Sequence, residues 1–374
     1  MAGLDEHGDE DRPGDDGGPG DEGGPEDAGG PEDAGGPEGR RPRALRTAGL
    51  ALAALLVLCA GAAGWVYWQL SDNITGVDIN SALGDDRPPR ALTAPSPGAA
   101  SGAPLPAGSL NILVLGSDSR DGAENGALGG GEGGSARSDT AMVVHLDAGR
   151  TAATVVSIPR DTLVTRPSCP LADGGESAEV SGAMFNSAYT VGGPVCAVKT
   201  VESLTGVRMD HYVEIDFAGF ARLVDALGGV TVTTEEDIDD EQSHLRLAAG
   251  THHLDGEQAL GLARTRHGIG DGSDLGRIEL QHTLVKALLA RISRAGLTSD
   301  PARLYEVADA VTGSLTTDTG LDSLGELIDL GSSLRELSAD RVTTVTMPVV
   351  PAPADPNRVV ADEPEASELW ASLR

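Results

Sequence analysis

The sequence predicts a mixed α/β (α+β) fold. A central, mostly β-sheet core is flanked by helices on both sides, preceded by one transmembrane helix and a disordered N-terminal tail. Three observations carry this. The 51 Gly and 22 Pro of the 374 residues crowd toward the N-terminal third. Residues 47–71 carry no charge. From residue 109 onward, β-branched runs alternate with segments of helical period, the pattern of a sheet covered by helices.

Residues 1–39 are acidic, and the unit GGPEDA recurs at 23–28 and 29–34. Such a segment has no apolar area to offset its ordering entropy, so 1–46 reads as a disordered acidic tail ending in Arg40, Arg41, Arg43 and Arg46. At ~1.5 Å per residue the uncharged run 47–71 outspans the ~30 Å hydrocarbon core as a helix. Trp65, Tyr67 and Trp68 stand at its far end, where an interfacial aromatic belt belongs. The run is too long and too far from the N-terminus for a cleaved leader, which makes it a signal anchor. Arginines before the span place the tail in the cytoplasm and 72–374 outside, in a single-pass membrane protein. Residues 72–107, rich in Pro, Gly, Ala and Ser, are expected as a linker. Cys169 and Cys196 then lie in an oxidising compartment, where a disulfide is expected.

The folded part spans 108–350, with 351–374 as a C-terminal extension packing on it or trailing from it. Strands are expected at 110–115, 140–146 and 151–158, the last two joined through Asp147-Ala148-Gly149. A strand at 211–215 leads into an apolar-periodic helix at 217–227, which Gly228-Gly229 stops before a strand at 230–233. Asp255 and Gln258 form the pattern of a capping box for a helix reaching 263. Asp274 opens a longer helix with Ile278, Leu284, Val285, Leu288 and Leu289 at helical spacing. Helices near 301–312 and 321–337 and a strand at 341–348 complete the pattern.

Composition removes several function classes. The formal charge of −31 excludes binding of nucleic acid through a general basic surface. Three cysteines exclude a four-Cys zinc site. Histidine offers no HExxH motif, and His252-His253 fall in an expected turn. Within this acidic chain, four clusters set Arg beside Asp, Ser and Gly at element ends: Gly116-Ser117-Asp118-Ser119-Arg120, Arg137-Ser138-Asp139-Thr140, Pro159-Arg160-Asp161-Thr162, and Arg264-Thr265-Arg266-His267 followed by glycines, Asp274 and Arg277. Guanidinium forks bind phosphate oxygens in pairs. Carboxylates give hard oxygen ligands to Mg²⁺, which also takes substrate phosphates. Together they suit a diphosphate–metal complex, although each Arg–Asp neighbour alone equally describes a surface ion pair. Arg277 and Gln281 share a helix face by spacing. Arg264 and Arg266 do not, so either the helix has ended by Arg264 or only one of the two enters a site.

These stretches (NILVLGSDSR, RSDTAMVVHLD, VVSIPRDTLV, FNSAYTVGGP, TVESLTGV, DHYVEIDFAGFARLVDALGGV, LDGEQALGLARTRH and DGSDLGRIELQ) resemble, in content and order, the LytR-CpsA-Psr family. The plan of tail, single span and linker resembles the family's as well, and the arginine-for-lysine bias fits a GC-rich genome. The resemblance implies a transferase moving a glycopolymer or sugar phosphate from a polyprenyl-diphosphate carrier to a peptidoglycan hydroxyl, with a phosphodiester formed. It implies Asp118 and Asp139 as ligands of Mg²⁺ (or Mn²⁺). Arg120, Arg137, Arg160, Arg264, Arg266 and Arg277 would line the diphosphate. Asp161 would orient an Arg or help deprotonate the acceptor, and Gln281 and Asn186 would add polar contacts. The partners implied are the lipid-linked donor, peptidoglycan and membrane lipid, without nucleic acid. Phe217, Phe220, Leu223, Ile278 and Leu284 are candidates for an apolar slot for the lipid. The alternatives are a membrane-anchored diphosphatase with water as acceptor and a non-enzymatic regulatory protein of the envelope. Arg160 and Arg266 are both expected in a solvent-reachable cleft, where alanine would abolish turnover at little cost in stability.

Overall fold

The computed structural model describes residues 41–85, 87–90, 108–117, 138–171, 173–266, 274–295 and 300–374. Residues 1–40 of the expected tail, the Gly-rich stretch after residue 121, and Asp118, Arg120, Arg137 and His267 lie outside the described residues, whereas 41–46, expected in the tail, are helical. By its contacts the chain divides into residues 1–59, of which 41–59 are described and helical, and the folded body 60–374.

The first elements are α1 (Arg41–Asp72), β1 (Thr75–Val77), α2 (Ile79–Leu83), β2 (Leu110–Ser117), β3 (Ser138–Leu146) and β4 (Ala153–Ser157). Next come β5 (Leu163–Arg166), β6 (Val180–Met184), α3 (Ser187–Thr205), β7 (His211–Asp216), α4 (Phe217–Ala226) and β8 (Val230–Thr234). They are followed by β9 (Ile238–Asp240), β10 (Leu245–Leu247), β11 (Gly250–Leu254), α5 (Gly256–Arg264), α6 (Asp274–Arg294) and α7 (Pro301–Thr312). The chain ends with β12 (Leu315–Asp318), α8 (Leu324–Ser333), β13 (Val342–Thr346), β14 (Val349–Ala352), β15 (Asp355–Ala361) and α9 (Glu365–Ala371). Within α1, Leu50–Asp72 has a mean hydropathy of 2.1 and is long and apolar enough to cross a membrane.

Local chemistry explains most boundaries. Asp147 accepts from Thr151 N and Ala152 N at 2.7 and 2.8 Å, which closes the β3–β4 hairpin. Asp216 caps α4 through Gly219 N, and Asp255 with Gln258 forms the expected capping box on α5. Asp300 caps α7, whose first residue is Pro301, and Ser323 caps α8 later than the pattern at 321 had suggested.

The main sheet runs β1-β12-β7-β2-β3-β4-β13, mixing parallel and antiparallel pairs. One face buries Leu113, Leu115, Val143 and Tyr212 under α3, with Trp370 and Leu373 of the C-terminal segment in the same core. The other face packs Ile112, Met142, Val155 and Val342 against Val285 and Leu289 of α6. Helices thus cover both faces.

Two expectations require correction. Residues 72–107 are not a linker throughout: β1 pairs with β12, and Ile79 and Leu83 enter the main core. Arg87 forms a buried ion pair with Glu202 at 2.6 Å. The Pro/Gly-rich composition masked a short apolar stretch (Ile74, Val77, Ile79, Leu83) that the sheet edge needs. His252-His253 sit in β11 and not in a turn, and His252 bonds to Ala248 O at 2.7 Å.

A disulfide joins Cys169 to Cys196 with Cα atoms 5.2 Å apart. Gly192 makes room for it: a Cβ there would come within 2.8 Å of Cys196 Cβ and 2.9 Å of Pro170 O. With 27 residues of separation, the chain-entropy account assigns the crosslink roughly 3.5 kcal/mol. Reduction with dithiothreitol is therefore expected to lower the melting temperature, and Cys169→Ala/Cys196→Ala to melt at that lowered value regardless of reductant.

His282 on α6 reaches Ser157 at the end of β4, 2.9 Å from its Oγ. Burial, and secondarily Lys286, pull its pKa down to about 4. The unfolded imidazole titrates near ~6.5. The unfolded chain therefore takes up a proton that the fold refuses, and stability falls as pH drops from about 6.5 toward 4. Urea midpoints across this window should show that slope, and His282→Gln should flatten it.

Candidate active site

Strand register gathers one edge of the sheet. Ser117 at the end of β2 lies beside Asp216 of the parallel β7 and opposite Ser138 of β3. Met142 opposes Ser157, so Arg160 leaves β4 at the same edge at which Asp139 enters β3. This crossing of strands accounts for residues 21 positions apart meeting: Arg160 Nη1 lies 2.6 Å from Asp139 Oδ1.

Helix α6 brings the next groups. Asp274 is its first residue, with Arg277 one turn later at 2.5 Å. Arg277 Nη2 donates to Asp139 O at 2.9 Å. One turn further, Gln281 Nε2 donates to Thr140 Oγ1 at 2.9 Å and to Ala263 O at 3.0 Å. The shared face read from spacing is the face that docks α6 on β3. Helix α5 ends at Arg264, the first of the two alternatives. The Arg264 guanidinium lies 4.9 Å over the Phe217 ring. The backbone N–H of Arg266 donates to Asp240 Oδ2 at 2.8 Å, and its guanidinium stands 3.7 Å from Asp139.

A cavity of about 300 Å³ runs from these cations inward. Its polar lining sets Arg264, Arg266 and Arg277 with Asp139, Asp216 and Asp240, beside Gln242 and Gln281. Met142, Ile215, Phe217, Phe220 and Leu284 make much of the remainder apolar. Of the slot candidates, Phe217, Phe220 and Leu284 line it, whereas Ile278 is buried and Leu223 does not contribute.

Burial alone would raise the Asp139 pKa, but Arg160, Arg277 and Arg266 more than reverse this and hold it below the ordinary carboxylate value. Burial, and then Arg160, lower Arg266 against Asp139, Asp274 and Asp161. Arg277, 3% exposed, falls to about 10, mainly through burial, and remains a cation at neutral pH.

Arg160 differs from the expectation of an open cleft. It does not itself line the cavity; its side chain, 17% exposed, is held among Asp139, Asp161 and Asp274. Removing it would strip a counter-charge from three carboxylates, so alanine there costs stability as well. Asp161 also pairs with Arg358 of β15 at 3.1 Å. Asn186 lies at the start of α3 without a side-chain cap bond. Its backbone N–H donates to Arg160 O at 3.2 Å, and its side chain is not part of the cavity wall.

Sequence reasoning missed two groups. Arg358 carries no local signal. Asp240 lies among other acidic residues at the end of the short strand β9. Asp274, set with Arg277 in the fourth cluster, bridges Arg277 and, at 3.4 Å, Arg160. Among the described residues no three His, Cys, Asp or Glu gather as a metal cage. The donor set still fits a hard divalent cation that shares substrate phosphates, because Asp139 presents an ionised carboxylate in the cavity wall.

Comparison with known proteins agrees with this geometry. The LytR_cpsA_psr family model matches residues 66–374. The chain is 37% identical over 272 residues to a probable cell wall biosynthesis protein, LcpB, of Corynebacterium glutamicum, covering 71% of this chain and 61% of that protein. It is 30% identical to TagV of Bacillus subtilis, a polyisoprenyl-teichoic acid–peptidoglycan teichoic acid transferase, over 62% of this chain and 57% of that one. The match thus spans about three-fifths of these relatives' length. The crystal structure of B. subtilis TagV superposes with a TM-score of 0.55 at 25% identity, covering 72% of this chain and 97% of that one. A LytR-Csp2A-Psr enzyme from Actinomyces oris shares the fold, with a TM-score of 0.55 at 24% identity over 77% of this chain and 96% of that one. With its family match covering residues 66–374 and its arginine-rimmed cavity on a helix-covered mixed sheet, this chain belongs to the LytR-CpsA-Psr family.

Proposed function

We propose that this protein transfers a glycopolymer or sugar phosphate from a polyprenyl-diphosphate carrier to a peptidoglycan hydroxyl. One observation carries the reading: a single cavity sets three arginines among carboxylates beside an apolar lining, matching a ligand that is a metal-bridged diphosphate at one point and hydrocarbon beyond it. In the reaction the acceptor hydroxyl oxygen bonds to the sugar-side phosphorus, the bridging P–O bond breaks, and polyprenyl phosphate leaves. The hydroxyl proton passes to solvent or to a nearby carboxylate.

Phosphoryl transfer asks the protein chiefly to position groups and offset charge. Arg264, Arg266 and Arg277 do this at the cavity's polar end. Arg160 and Asp274 hold Asp139 and Arg277 in place, and Asp161 with Arg358 steadies Arg160. Mg²⁺ is the proposed cofactor, with Asp139 as a protein ligand; when bound it would neutralise diphosphate charge. Asp118, the other expected ligand, lies outside the described residues. The activity for which the B. subtilis relative TagV is named supports the substrate class. The apolar stretch of α1 suits a membrane-bound donor, and the arginines before it favour a cytoplasmic N-terminus with the catalytic body outside.

The test incubates full-length protein in vesicles with Mg²⁺, a polyprenyl-diphosphate sugar and a soluble peptidoglycan fragment. A phosphodiester-linked product supports the reading. Free sugar phosphate alone would make the protein a diphosphatase, and no reaction would favour a regulatory role.

A further inference from the structure

The same sheet edge carries a second cavity, on the opposite face. Side chains alternate along a strand. On β7, Tyr212 enters the core under α3 and Ile215 faces the first cavity, so Glu214 lies on the Tyr212 face. Thr75, Thr316 and Glu214 are register partners across β1, β12 and β7 and form a polar row above that apolar core. With Ser117, Asp216 and the 313–315 turn they enclose about 190 Å³. Asp216 lines both cavities.

The lining selects its ligand by chemistry. Glu214, 7% exposed, accepts from Tyr189 Oη at 2.6 Å and from Tyr212 Oη. Ser117, on the cavity wall, is fully buried, and its Oγ has no hydrogen-bond partner among the described residues. Two carboxylates oppose a phosphate. Both Glu214 oxygens already accept phenol hydroxyls, and no cage of three metal ligands exists among the described residues. Leu315 is the one large apolar side chain among the described lining residues, so an acyl chain gains little. What remains is a neutral ligand rich in O–H and N–H donors. The volume lies below the ~300–1,000 Å³ of drug-sized pockets, which suits a single ring.

We infer that this cavity binds one sugar ring of the acceptor glycan. The inference rests on the transfer reading and deepens it. In phosphoryl transfer the attacking and leaving oxygens lie roughly in line, on opposite sides of phosphorus. The leaving polyprenyl phosphate belongs to the apolar cavity under α4, α5 and α6. An acceptor seated across the sheet edge, past Asp216, approaches from the other side. Ser117 and Thr316 then contribute specificity for the acceptor rather than for the lipid.

The experiment uses full-length protein in lipid nanodiscs and a soluble N-acetylated peptidoglycan disaccharide. Transfer kinetics are measured for Ser117→Ala and, separately, Thr316→Val. Ser117→Ala removes a hydroxyl with no partner among the described residues, and Thr316→Val conserves shape, so each variant backs up the other. The expected result is a rise of about tenfold in KM for the disaccharide with KM for the lipid donor at the wild-type value. A rise in donor KM alone would assign the cavity to the donor's sugar and overturn the inference, as would unchanged constants for both substrates. Saturation-transfer NMR of the disaccharide without donor separates the two readings. Donor cleavage without phosphodiester product sinks the transfer reading, whereas wild-type-level disaccharide signal in Ser117→Ala sinks the subsite.

Discussion

Arg266→Ala is expected to reduce turnover by about 10³-fold, the scale at which a single transition-state arginine contributes in phosphoryl transfer. Its side chain is 34% exposed, lines the cavity and stands 3.7 Å from its acidic neighbour. Asp139 keeps its closer partner, Arg160, at 2.6 Å when Arg266 is removed. The loss therefore falls on substrate charge and not on the fold, and the unfolding free energy should stay within about 0.5 kcal/mol of wild type. Arg266→Lys should recover only part of the rate, because an ammonium cannot make two parallel hydrogen bonds to phosphate. Turnover with the lipid donor and urea unfolding check both halves; near-wild-type turnover in Arg266→Ala would remove this residue from the mechanism.

The second large effect is on stability. Asp274→Ala leaves Arg277 buried without its direct ion-pair partner, since the 2.5 Å carboxylate is gone and the Asp139 carbonyl, with the weaker pull of the Asp139 carboxylate, is what remains. Breaking a buried pair from one side costs about 3–5 kcal/mol. For a domain of this size that lowers the melting temperature by about 10 °C. Asp274→Ala/Arg277→Met should regain most of the loss, because no lone buried charge is left, while turnover stays low. Differential scanning calorimetry of the two variants checks this. A single variant melting with the wild type would mean that the ion pair carries no weight in the fold.

Much of this architecture was legible in one dimension because its causes are local. The capping box of Asp255 and Gln258, the Asp147 turn, the helix face shared by Arg277 and Gln281, and the apolar span each need only neighbours within a turn or a strand. The small apolar stretch at 74–83 was misread because its meaning depends on β12, more than 230 positions away. The pairing of Asp161 with Arg358 was invisible for the same reason.

The site divides along the same line. Residue types and spacing were enough to nominate the arginines and Asp139 as one chemical set, since cationic forks and carboxylates repeated at element ends in an acidic chain have few other uses. Which of them faces a ligand was a matter of packing. Arg160 and Arg277 look alike with Arg266 in the sequence, yet strand register and the docking of α6 take Arg160 off the cavity wall among three carboxylates, bury Arg277 in that wall against Asp274, and leave Arg266 the most exposed of the three. The availability of a charge depends on burial and on partners delivered from distant segments, and neither quantity exists until the chain has folded.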